Sequence, residues 1–104
     1  MPRLRFAAAA KNDLNSIAKY IADRSGSRVV ATRFMRELRN KCDQLAAAPI
    51  QMGRTRADLH PGLRSHAHKS YVIFFRYERD VLEIMRVIES HRDIPPLFGR
   101  DEQA

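Results

Sequence analysis

The run Tyr71-Val72-Ile73-Phe74-Phe75-Arg76-Tyr77 constrains this chain most. A strand with one wet face alternates polar and apolar residues. This one is apolar almost throughout, as a strand covered on both faces would be. Glu78-Arg79-Asp80 then makes a turn, and Leu82 to Ile88 returns as a partner strand. Pairing Tyr77 with Leu82 sets Phe75 opposite Ile84, Ile73 opposite Arg86 and Tyr71 opposite Ile88 on one face. Val72 with Val87, Phe74 with Met85 and Arg76 with Glu83 occupy the other. Both faces are largely apolar, and each needs a cover.

The preceding sequence supplies one cover. Arg3-Leu4-Arg5-Phe6 alternates as a half-buried edge strand. Ala10, Leu14, Ile17, Ala18 and Ile21 recur at helical spacing, and so do Val30, Ala31, Phe34, Leu38, Cys42 and Leu45. Ser25-Gly26-Ser27 separates the two stripes, with Gly26 suited to a left-handed stop and Ser27 to an N-cap. Residues 9–48 therefore read as an antiparallel helical hairpin closed by Pro49. Residues 50–63 read as a loop, and Arg64 to Lys69 as a short polar strand. Pro95-Pro96 makes the tail irregular from about residue 95. The predicted fold is one α+β domain over residues 1–104, ordered β-α-α-β-β-β. Its helical hairpin packs on one face of a mostly antiparallel four-stranded sheet. The other face is expected to be covered by an external peptide or second subunit; the alternative is that residues 50–63 fold over it.

Nineteen Lys and Arg against twelve Asp and Glu give a net charge of +7, which concentrates anionic partners. Cys42 is the single cysteine and lies in an apolar stripe, so it reads as core in a reducing compartment. No signal-like or membrane-spanning run is present, and a soluble, cytoplasmic protein is expected. His66 and His68 share a strand face, but no third ligand follows at metal-site spacing. They read as exposed hydrogen-bonding histidines, and no metal or cofactor is expected. His91-Arg92-Asp93 spells a kinase tripeptide without the glycine-rich loop a kinase needs.

Several segments in this order resemble the ParE branch of the RelE/ParE superfamily. They are Asp13-Leu14 … Ile17 … Tyr20-Ile21-Ala22, Phe34 … Leu38 … Cys42 … Leu45-Ala46 … Pro49 and Gly53-Arg54. Leu59-His60-Pro61-Gly62-Leu63-Arg64-Ser65, the Tyr71–Arg76 run, Leu82-Glu83-Ile84 … Arg86-Val87-Ile88 and His91-Arg92-Asp93 complete the match, over roughly residues 4 to 98. The resemblance implies the toxin of a type II toxin–antitoxin pair, often a plasmid stabilisation system. It implies neutralisation by an acidic-tailed ParD-like antitoxin in a hetero-oligomer, contact with promoter DNA only through that antitoxin, and DNA gyrase as the target. Ribosome-dependent RelE ribonucleases share the fold. Aligned with them, a catalytic arginine falls at Val72 and a terminal tyrosine at Phe98, while Arg92 keeps a basic position. Val72 cannot stabilise a phosphate and Phe98 has no proton to give, so no catalytic residue is assigned. A messenger RNA interferase and a non-toxic antitoxin-binding remnant are the alternatives.

Two sets of contact residues follow. Arg86, His91, Arg92 and Phe98 are candidates for the target. Arg86 interrupts an apolar face, so it either pairs inside the fold or marks a binding surface. Arg54, Arg56 and Arg64, with Val72, Phe74, Met85 and Val87, are candidates for the antitoxin. That basic set could equally meet nucleic acid phosphates or remain solvated.

Overall fold

Two residues set the course of the first half of the chain. Gly26 has φ 70° and returns its N–H to Ala22 O at 2.9 Å, ending the first helix. Ser27 stays extended and its hydroxyl accepts the Val30 N–H at 3.2 Å, starting the second. The stop-and-cap signal in the sequence thus produces the hairpin.

In the computed structural model, residues 2–91 of the 104 are described. The elements are β1 (Arg3–Phe6), α1 (Ala8–Ser25), α2 (Arg28–Ala47), β2 (Arg54–Thr55), β3 (Arg64–His68), β4 (Tyr71–Glu78) and β5 (Val81–Glu89). The expected irregular tail, with Arg92 and Phe98, lies outside the described residues. One mixed sheet forms in the order β1-β5-β4-β3-β2. β1 runs parallel to β5 and every other pair is antiparallel. The fold is α+β as predicted, with five strands instead of four. The extra strand is β2, whose two residues are too few to show a period; they lie inside the segment read as loop.

The β4–β5 register holds as predicted for Tyr77–Leu82, Arg76–Glu83 and Phe75–Ile84, then shifts at Phe74/Phe75. Beyond this bulge Phe74 faces Arg86, Ile73 faces Val87, Val72 faces Ile88 and Tyr71 faces Glu89. Four predicted pairs are corrected: Val72 with Val87, Phe74 with Met85, Ile73 with Arg86 and Tyr71 with Ile88. The physical reason is burial. One extra residue at Met85 lets Val87 join the helix side at 3% exposure, while Ile88 closes the opposite side at 1%. An unshifted ladder would have aimed Arg86 under the helices.

The main core lies between hairpin and sheet. Ala10 and Ile17 of α1, and Leu38, Cys42, Leu45 and Ala46 of α2, pack on Tyr71, Ile73, Phe75, Leu82, Ile84 and Val87. Phe34 is only half-buried, at the rim over Tyr71 and His68. A second cluster closes the other face: Leu59 and Leu63 pack on Phe74 and Ile88, flanked by Val72 and Met85. The segment between β2 and β3 therefore covers that face, and the expectation of an external cover there is corrected. Its turns are held by Arg56 N–H to Leu63 O (2.7 Å), Leu59 N–H to Arg56 O (2.9 Å) and Leu63 N–H to His60 O (3.1 Å). Folding back this way satisfies the loop backbone while burying two leucines.

Candidate functional site

At the open end of the hairpin the two helices leave an apolar cleft of about 330 Å³ above the sheet. Its lining comes from four elements: Phe6 of β1, Lys11 and Leu14 of α1, Met35, Leu38, Arg39 and Cys42 of α2, with Ile73 and Val87 beneath. The alanine run Ala7–Ala10 opens α1 just before these residues, with helix propensity but little side-chain volume. Leu38, Cys42, Ile73 and Val87 are buried and form the floor, whereas Phe6, Leu14 and Met35 are half-exposed around the mouth. Lys11 and Arg39 are exposed beside them. Arg39 lies 5.3 Å from the centre of the Phe6 ring, a cation–π arrangement, and also reaches Asp43 at 3.5 Å. A pocket with an apolar floor and two cations at its lip suits an apolar side chain on an acidic segment. Burial pushes the Cys42 thiol up to about 12, with the nearby Asp43 carboxylate adding to the effect. The sulfur is a packing group and not a nucleophile at neutral pH.

Beside this cleft, the edge of β5 is closed by one carboxylate. β1 ends at Phe6 opposite Ile84, so β5 continues past its partner. Asp13 of α1 accepts the Val87 N–H at 2.9 Å. It also holds Arg86 in a two-pronged pair, Nε to Oδ2 at 2.7 Å and Nη2 to Oδ1 at 3.0 Å. The hydrogen bond to Asp13 raises the Arg86 pKa further above its ordinary value, against the opposing effect of burial. Of the two roles open to Arg86 in the sequence, pairing inside the fold is the observed one.

The basic set around β2 and β3 is also partly engaged. Arg64 donates Nε to Met52 O at 2.7 Å and Nη2 to Gly53 O at 3.1 Å, pinning the loop. Gly53 has φ 81°, and a Cβ there would lie 2.6 Å from Phe75 Cζ and 2.7 Å from Ser65 O. Arg56 forks onto Asp58 with both contacts at 3.1 Å and lies 5.9 Å from the centre of the Phe74 ring. The Arg56 hydrogen bonds hold the Asp58 carboxyl below its usual range. Arg54 is exposed. Tyr77 ties this loop to the hairpin, accepting from Met52 N–H at 2.9 Å and donating to Leu45 O at 3.2 Å.

Comparison with known proteins fixes the family. Residues 4–94 match the sequence profile described as the ParE toxin of the type II toxin–antitoxin system parDE. The chain belongs to the ParE toxin family. A curated relative, Toxin ParE3 of Caulobacter vibrioides, is 25% identical over 88 residues, covering 85% of this chain and 86% of that protein. A chain in the solved chromosomal ParDE toxin–antitoxin system of P. aeruginosa superposes with a TM-score of 0.74 at 20% identity. That superposition covers 86% of this chain and 96% of the other, and it concerns the fold.

Within this ParE fold the sequence-predicted contact residues separate. Val87 lies on the helix side beneath the cleft, apart from Val72, Phe74 and Met85. Phe74 is fully buried and offers no surface, while Val72 and Met85 are half-exposed. His91 is exposed. His66 and His68 are half-buried, where exposed histidines were expected. His68 Nε2 lies 3.6 Å from Glu37, a carboxylate held below its usual range by its hydrogen bond to Lys69 at 2.8 Å. Burial, Lys41 and His68 together lower the His66 pKa. The cleft residues Phe6, Lys11, Leu14, Met35 and Arg39 escaped the sequence reading. No helix among the described residues is long and apolar enough to cross a membrane.

Proposed function

We propose that this ParE-family toxin works by binding other proteins in the cytoplasm, without a catalytic step of its own. A ParD-type antitoxin holds it in a hetero-oligomer, and the released toxin inhibits DNA gyrase. Val72 carries the non-catalytic part of this reading. Where the resemblance to RelE ribonucleases implies a phosphate-stabilising arginine, this chain has a half-buried apolar side chain in the loop-covered cluster. Arg86, the next cation along β5, is already spent on Asp13. His91, with Arg92 and Phe98 beyond it, remains the candidate contact with the target, and Arg86 steadies the strand that leads there.

For the antitoxin, the hairpin cleft is the better candidate than the outer sheet face, because that face is closed by Leu59 and Leu63. An apolar side chain of the antitoxin enters between Leu14 and Met35, with its acidic neighbours against Lys11 and Arg39. Apolar burial supplies most of the affinity and the charges mainly speed association. Exposed Arg54, with Val72 and Met85, provides a secondary rim.

The test is a supercoiling assay with purified gyrase beside a translation assay with primer extension, using toxin freed of antitoxin. The expected result is lost supercoiling with messenger RNA intact. Codon-specific message cleavage would make the protein an RelE-type interferase. Inactivity in both, with antitoxin binding retained, would make it a non-toxic remnant.

A further inference from the structure

The outer face of α2, turned away from the core, carries hydrogen-bond donors and almost nothing else. Arg28, Thr32, Arg36 and Asn40 follow one another at intervals of four residues, with Arg33 between the rows, and all five are exposed. Arg28, Val29, Thr32, Arg33 and Arg36 line a shallow hollow of about 280 Å³. Arg28, Arg33 and Arg36 have no ion-pair or hydrogen-bond partner for their side chains among the described residues. This is not for want of acids on the helix. Glu37 is taken by Lys69 at 2.8 Å and Asp43 by Arg39 at 3.5 Å. α2 also begins on Arg28 and has no acidic residue in its first turn. The helix dipole favours an anion there, so this end of the helix carries positive charge that no acidic side chain in its first turn offsets.

We propose that this face binds the phosphate backbone of double-stranded DNA. Arginine, threonine and asparagine are the side chains that contact phosphates while leaving sequence unread. Arg28 to Arg36 spans about 12 Å of rigid helix, a length over which a duplex presents about seven backbone charges. Single-stranded nucleic acid would need rings to stack on. The face offers none, and the exposed ring of α1, Tyr20, lies against Arg24 at 5.8 Å. A protein partner would need a large apolar or aromatic anchor, and the exposed apolar groups at this end of α2 are only Val29 and Val30. The inference does not rest on the toxin reading, and it departs from the expectation that DNA is reached only through the antitoxin.

The test is fluorescence anisotropy of the full chain on short labelled duplexes of two unrelated sequences, titrated over a range of salt. Both duplexes should bind equally. Arg28→Gln with Arg33→Gln and Arg36→Gln should weaken binding roughly tenfold or more at low salt and flatten the log–log salt slope by about 2–3. Arg36→Gln alone should flatten it by about 1, which keeps the test intact if the triple variant folds poorly. A control removes the same charge elsewhere, at exposed Arg3, Arg54 and Arg79. An equal loss in that control would overturn the proposal, because net charge alone would then account for binding. So would an unchanged slope in the α2 variants, or their losing a poly-glutamate peptide while still holding the duplex.

Discussion

The two faces of the sheet are both dry, yet the chain closes them with different materials. On one side two helices, Ala8–Ser25 and Arg28–Ala47, bring their own satisfied backbones and a row of apolar side chains. On the other, Leu59 and Leu63 hang from a turn-rich segment pinned by Arg56, Arg64 and the close approach of Gly53 to Phe75. The helices are rigid, and their side keeps a cleft of about 330 Å³. The loop is irregular but follows the surface, so its side is sealed. Regular structure therefore left the vacancy, and irregular structure filled one.

The largest expected effect comes from a matched pair. Phe74 and Phe75 are neighbours, both at 0% exposure, one under the loop and one under the helices. Phe75→Ala should cost about 3–5 kcal/mol, because helices cannot collapse into the space. Phe74→Ala should fall at or below about 3 kcal/mol, because the loop can settle inward. Urea titration of both variants decides this, and equal losses would mean that the loop is as stiff as the hairpin.

The Asp13–Arg86 pair comes next, since it joins α1 to the edge of β5. With side-chain exposures of 13% and 21%, the pair is shielded but not dry. Asp13→Ala should cost about 2–3 kcal/mol, leaving a cation uncompensated and the Val87 N–H without its acceptor. Adding Arg86→Met should recover part of that loss in a double-mutant cycle. Full additivity would show that the pair does not act as a unit.

Much of this architecture was legible in the sequence. The Gly26–Ser27 punctuation, the two helical stripes and the turn after Tyr77 are local signals, and they appear as expected except that Val30 is exposed and Phe34 only half-buried. The bulge at Phe74/Phe75 is not local. It arises because an unshifted ladder would turn Arg86 under the helices, and one extra residue gives that place to Val87 instead. The loop cover depends on Leu59 and Leu63 meeting Phe74 and Ile88, which no period announces. The role of Asp13 was hidden similarly, because its partners lie more than seventy residues away. The candidate antitoxin set suffered from the bulge, as Val87 moved to the other face.

A smaller effect follows from pH. The folded pKa of His66 is lowered by burial, by Lys41 and by His68. The unfolded chain therefore takes up this proton first. Stability falls as the pH drops below about 6.5 and keeps falling until the lower folded pKa is reached. His66→Gln should flatten that part of the profile of thermal midpoint against pH. An unchanged slope would assign acid sensitivity to other groups.

The comparison turns on which side a partner covers. The decisive measurement is the dissociation rate of the ParD-type antitoxin from Met35→Glu and Met85→Glu, one variant on each side of the sheet. Both side chains are half-exposed, and a matched thermal melt shows whether each variant is folded. An apolar anchor seated at the cleft mouth predicts that Met35→Glu dissociates at least about tenfold faster, a carboxylate having been placed where the interface is dry. Met85→Glu should release the antitoxin at nearly the wild-type rate. The opposite pattern, with Met85→Glu releasing fast and Met35→Glu holding normally, would put the antitoxin on the loop-covered face and contradict the account.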